Sequence, residues 1–174
     1  MRSEHQQRLL RVSTAPKKTL DLLSEGVSLT ATFGQPIEDL VQQAAADRLK
    51  LGLRFLRVGM RMSATTRPDW RSVIGRFYYA MYHSMRAVSY YSHNGDDHQE
   101  HNKLPAALPN DFPNRDIRSN DLKDARVRRN EADYDPYPND SAYFRKTARD
   151  LTPVATIFVS DCRDYLRQRG CKFL

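Results

Sequence analysis

The sequence predicts an all-α protein of antiparallel helices. Two observations predict this class. Apolar residues recur at steps of three and four over long stretches, and no strand-like alternation of useful length or internal repeat interrupts them. At 174 residues the chain fits one domain, long enough to bury about two thirds of the surface its unfolded form exposes.

Residues 1–34 mix charges with short apolar pairs, Leu9-Leu10 and Leu22-Leu23, and carry no sustained period, so they read as an arm of unassigned structure ahead of a domain over 35–170. Pro36 stands where a helix begins, and Ile37, Leu40, Val41, Ala44, Leu51, Phe55, Val58 and Met62 then recur at helical spacing up to the Ser63-Ala64-Thr65-Thr66 break. A second helix opens at Pro68-Asp69-Trp70. Its core stripe is Val73, Phe77, Ala80, Met81, Ser84, Val88 and Tyr91, with Arg76, Tyr79, His83 and Arg86 on another face. From Ser92 to about Arg115 the composition turns to Asn, Asp, Gly, Pro and His, a long surface loop with a short helical piece around Lys103 to Leu108. A third helix covers Ser119 to Tyr134 and ends there, because Asp135 precedes Pro136 and that position avoids helical geometry. Ser141 caps a last helical region, in which Thr152-Pro153 marks a kink or a second start. Val154, Ile157, Phe158, Cys162, Tyr165 and Leu166 make its apolar stripe, and Gly170 closes it.

Lys and Arg outnumber Asp and Glu by 28 to 21, for a formal charge of +7 and a pI near 9.6. That balance favours an anionic partner such as RNA or DNA, with solubility as the bland alternative. Cys162 and Cys171 are too few for a disulfide framework, lack metal-ligand spacing and read as free thiols of a reducing cytosol. No apolar run approaches the roughly 18 residues that cross a bilayer, and MRSEHQQRLLRV lacks the apolar core of a secretory signal. The expectation is a cytoplasmic protein with no membrane partner.

Two stretches carry chemistry. On the second helix Arg76, Tyr79 and His83 stand on adjacent turns, and a histidine there serves as acid or base near neutral pH unless it is a satisfied core residue. The run Phe77-Tyr78-Tyr79 reads as helix packing before it reads as a base-stacking platform. On the third helix Arg126, Arg129 or Asn130, Asp133 and Tyr137 follow steps of three and four. Arginines there, Arg128 included, hold phosphate by charge and forked hydrogen bonds, while Tyr134 and Tyr137 stack on unpaired bases. The competing reading is an Arg129–Asp133 ion pair with tyrosines finishing a helix end. The loop from His93 to His101 holds three histidines and three carboxylates, but its spacing matches no zinc pattern and a solvated loop is the simpler account, so no metal and no cofactor are assigned.

The order RFYYAMYHSMRAV, a loop containing EHNKL, then RRNEADYDPY resembles the HEPN domain. The similarity is to the branch marked by an Arg-x-Tyr-Tyr-Ala-x-x-His helix and an Arg-x-x-Ala-Asp-Tyr helix end, and it covers about residues 36 to 168. The resemblance implies an antiparallel bundle of four to five helices that pairs as a homodimer, with a cleft where the third helices of two subunits meet. It also implies a metal-independent endoribonuclease acting as a toxin of a toxin–antitoxin pair or in antiviral defence, beside a nucleotidyltransferase that neutralises it. His101 matches the family's loop histidine, with a capping or packing role.

The usual signature of such ribonucleases is an Arg followed, after four to six residues, by a His. Here Asp133, Tyr134, Asp135 and Pro136 stand in that window. Cleavage through the 2′-hydroxyl needs a base, a cation and an acid. The resemblance therefore assigns Arg129 to phosphate, Asn130 and Asp133 to positioning, and Tyr134, Tyr137 or His83 to proton transfer and base contact. The other expectation is a binding or adaptor module of the same fold without catalysis. A third has Tyr134 or Tyr137 accept nucleotide groups from a partner enzyme.

Overall fold

The computed structural model describes residues 3–174, and its regular structure is helical throughout those residues. The α-helices are α1 (Glu4–Ser13), α2 (Lys17–Phe33), α3 (Ile37–Ser63), α4 (Trp70–His93), α5 (Arg115–Tyr134) and α6 (Ser141–Gln168), with a 3₁₀ turn at Leu104–Ala107. The fold class is all-α. Two compact units divide inside α3, between Leu40 and Val41.

In the N-terminal unit, the segment expected to lack a period forms two helices. α1 starts with a capping box in which Ser3 accepts from the Gln6 amide and the Gln6 side chain accepts from the Ser3 amide. α2 ends on Gly34 at φ +64°, the left-handed geometry glycine adopts without penalty. Neither helix buries a residue, and Leu22, Leu23, Val27 and Phe33 are all exposed.

The second unit centres on α4, where Phe77, Tyr78, Met81, Met85 and Val88 are buried. Asp69 caps it by accepting from the Ser72 amide. α5 and α6 pack on α4, and the 3₁₀ turn packs on both α4 and α5.

The buried face of α3 differs from the expected stripe. Ala45, Ala46, Leu49, Gly52, Leu56 and Gly59 are buried, whereas Leu51 is exposed and Phe55, Val58 and Met62 are half-buried. The reason is a close approach to α4. A Cβ on Gly52 would stand 2.4 Å from Ser84 Oγ and 3.0 Å from the Ala80 carbonyl oxygen, and one on Gly59 would stand 2.8 Å from the Phe77 ring. The smallest side chains face the neighbour, and the larger apolar ones are displaced to the flank.

Three helix details also differ from expectation. α5 begins at Arg115 rather than Ser119, behind Asn114 in a left-handed conformation. Asp140 rather than Ser141 caps α6, accepting from the Ala142 amide at 2.7 Å. Pro153 neither breaks nor restarts α6: it lies on the exposed side, and the Thr152 and Thr156 hydroxyls donate to carbonyls four residues back. Ile157, expected in the core stripe, is 49% exposed. Cys162 and Cys171 are buried and free. No helix among the described residues is long and apolar enough to cross a membrane.

Candidate functional site

Facing turns of α4 and α5 bring both motifs together around Arg129. Its Nη2 donates to the Tyr79 hydroxyl at 2.8 Å, and its Nη1 donates to Asn130 Oδ1 at 3.2 Å and to the Tyr134 hydroxyl at 3.3 Å. Its Nε stands 2.8 Å from Asp133 Oδ2, an ion pair without hydrogen-bond alignment. The guanidinium carbon lies 5.3 Å from the Tyr134 ring centroid and 5.5 Å from that of Tyr79. Burial opposes the Arg129 charge, but the hydroxyl of Tyr134 together with Tyr79 and Asp133 holds its pKa above the ordinary value. The result is a cation fixed in orientation by four side chains.

Arg126, one turn earlier, is half-buried and among the described residues has no hydrogen-bond or ion-pair partner. Its field is felt by Tyr78 and His101. Arg128 and Val127 point to solvent, as does Tyr137, 78% exposed beyond the helix end. Tyr134 is 71% exposed, so its ring is open to solvent although its hydroxyl is engaged.

The α4 motif shares one side as expected, but its focus is Phe55 of α3. The Arg76 guanidinium lies 5.6 Å from the Phe55 ring, Tyr79 packs at 5.6 Å, and His83 stacks at 5.3 Å with the planes 9° apart. His83 thus stands behind Tyr79 instead of at Arg129, and its buried Nδ1 has no partner. Burial, reinforced by Arg48, Arg86 and His101, pushes its pKa down from 6.5 to about 4.

That shift has a stability consequence. Between pH 6.5 and about 4 the unfolded chain takes up a proton on residue 83 that the folded one refuses, so stability is lost as pH falls through this window. An NMR titration of His83 is expected to show a midpoint near 4, and His83→Gln is expected to flatten the decline of urea midpoints between pH 6.5 and 4. A His83 midpoint at 6.5 or above would contradict the burial argument.

The loop between α4 and α5 completes the surroundings. His101 shares a hydrogen bond with the Tyr78 hydroxyl and stacks on Tyr82 at 4.3 Å. Burial, with Arg126 and Arg129 nearby, lowers the His101 pKa. Arg86 pairs with Asp96 and donates to Gln99 Oε1 at 3.0 Å, tying the loop to α4. Of the polar loop residues, His93 and His98 meet edge to face at 4.8 Å, and Asp96, Glu100 and His101 have separate partners. His93 faces the Ala107 carbonyl oxygen, Asp96 faces Arg86, and Glu100 pairs with Lys103. No group of three His, Cys, Asp or Glu side chains among the described residues converges on one point.

Arg71 positions the end of α5. Its Nη1 donates to the carbonyl oxygens of Ala132 at 2.9 Å and Asp135 at 2.8 Å, its Nη2 reaches the Pro138 carbonyl at 3.3 Å, and its guanidinium lies 3.9 Å from the Phe144 ring. Helix ends leave carbonyls without internal partners, and Arg71 satisfies those on which Asp133 and Tyr134 ride. No local spacing announces it, since Ala132 lies 61 residues away. In comparisons with known proteins, no family model, curated protein or solved structure matches the chain.

Proposed function

We propose that this protein is a HEPN-like, RNA-directed protein in which the Arg126–Arg129 surface of α5 binds a phosphate of single-stranded RNA while Tyr134 and Tyr137 stack on its bases. One observation carries the reading. A guanidinium held by four neighbours lies one turn from an unpaired one, the solvent-open ring of Tyr134 lies against the first, and Tyr137 is exposed just beyond the helix end. Arginine forks match phosphate oxygens, and base–aromatic stacking contributes about 1–3 kcal/mol per base. The net charge of +7 favours the same ligand. A homodimer, a nucleotidyltransferase or defence partner and a cytoplasmic setting belong to this proposal through the family resemblance.

Metal-independent RNA cleavage is the second reading, favoured by the Tyr134 hydroxyl lying 3.3 Å from a fixed cation. Against it, Asp133 is already spent on the Arg129 ion pair and His83 lies one aromatic layer away. Binding is therefore the better-supported function.

Anisotropy titration of a labelled single-stranded RNA tests it. Tyr134→Ala with Tyr137→Ala, both at exposed positions, is expected to weaken binding by at least about thirtyfold, from about 1–3 kcal/mol for each of two bases. Unchanged affinity, or equal affinity for single strand and duplex, would contradict the stacking role. Shortened RNA with 2′,3′-cyclic phosphate ends, formed without metal and lost in Arg129→Gln, would move the conclusion to the cleavage reading.

A further inference from the structure

The large apolar residues displaced from the α3 core face do not lie on a featureless surface. Leu51, Phe55 and Val58, at steps of four and three, line one side of a groove of about 360 Å³ whose polar rim is Arg54 and Arg76. That volume is within the range of small-molecule sites. Among the described residues neither Arg54 nor Arg76 has a carboxylate partner, and the Arg76 guanidinium lies over the face of Phe55.

The chemistry of the groove limits its occupant. A simple anion would use the two guanidinium groups and leave the apolar floor wet, whereas a hydrocarbon would leave both cations idle. A flat heteroaromatic ring carrying an adjacent phosphate uses both, with the ring along the apolar wall of Leu51, Phe55 and Val58 and the phosphate at the arginines. The groove is also continuous with the site already described. Phe55 packs on Tyr79 at 5.6 Å, and Tyr79 accepts the Arg129 hydrogen bond at 2.8 Å.

We infer that this groove is a nucleotide subsite, taking one base and its phosphate from the RNA strand whose neighbouring phosphate lies at Arg126 and Arg129. The inference rests on the RNA reading and adds a second binding point to it. Two separated binding points make the protein a reader of strand continuity: a strand that reaches from Arg129 across Tyr79 to Phe55 binds better than a shorter one.

The test uses the full chain and single-stranded RNA bearing 4-thiouridine, with photocrosslinked peptides mapped by mass spectrometry and affinities measured across salt. Arg54→Gln with Arg76→Gln changes two exposed side chains, and Phe55→Leu keeps an apolar side chain while removing the ring. Crosslinks within residues 51–58 and about tenfold weaker binding for each variant are the expected results, together with a salt slope that the arginine changes reduce by about one for each phosphate no longer neutralised. RNA binding that weakens only in the Tyr134→Ala and Tyr137→Ala protein, with no crosslink in 51–58, would overturn the subsite while leaving the primary reading intact. Absence of RNA binding by the wild type would overturn both. Variants that change only the sedimentation of the protein would assign the groove to a second copy of the chain and overturn the nucleotide assignment.

Discussion

Gly52→Val is expected to lower the melting temperature by about 6–12 °C, corresponding to about 3 kcal/mol at roughly 2–4 °C per kcal/mol for a chain of this size. Helix propensity alone argues the other way for the smaller change, since replacing a mid-helix glycine by alanine gains about 1 kcal/mol. Local geometry decides the sign. The first added carbon already meets Ser84 Oγ at 2.4 Å, the Ala80 carbonyl oxygen at 3.0 Å and the Ser84 amide nitrogen at 3.1 Å. The hydroxyl can rotate away, but the two backbone atoms cannot without displacing α4. Ser84→Ala provides the internal control. Its hydroxyl is buried and unpartnered, so its removal alone costs little and restores part of the stability lost in Gly52→Ala. A melting temperature raised by Gly52→Val would show that α3 and α4 do not approach this closely.

Arg71→Ala is expected to open the α5–α6 connection. Hydrogen bonds from a charged donor contribute about 1.5–3 kcal/mol, and Arg71 serves the carbonyls of Ala132, Asp135 and Pro138 while covering Phe144. A loss of about 3 kcal/mol follows, concentrated in residues 131–141 and visible as fast hydrogen exchange there while the α4 core stays protected. Arg71→Lys is not expected to rescue it, because a single ammonium cannot reproduce the fork that reaches Pro138 and Asp135 together. Since Tyr134 and Asp133 ride on this segment, RNA affinity should fall with it. Unchanged exchange in Arg71→Ala would contradict the clamp.

Much of the fold was legible because proline and capping residues punctuate it. Pro36, Asp69 and Pro136 mark real helix ends, and the stripe Val73, Phe77, Ala80, Met81, Ser84 and Val88 is buried as its spacing indicates. What was not legible follows from physical causes. Large apolar residues signalled the face of α3 that is left at the flank, because close approach there uses Gly52 and Gly59, which carry no hydrophobic signal. α1 carries only three apolar residues, Leu9, Leu10 and Val12, too few for a sustained period, yet the Ser3–Gln6 capping box and Gly34 were signals available in the sequence. At the site, the Arg129–Asp133 pair follows from a four-residue step, whereas the Tyr79 and Arg71 interactions join residues 50 and 61 positions apart and need the tertiary fold.

Binding of RNA phosphate by an oriented Arg129 is tested most directly by titrating labelled single-stranded RNA against the wild type and Arg129→Gln, each at several salt concentrations. The half-exposed Asp133 can rehydrate when its partner is removed, so the variant should fold. The expected result is metal-independent binding by the wild type, with affinity falling at least about tenfold in Arg129→Gln and the salt slope smaller by about one. Equal affinity and equal salt slope in the two proteins would contradict phosphate binding and return Arg129 to the role of a structural ion pair.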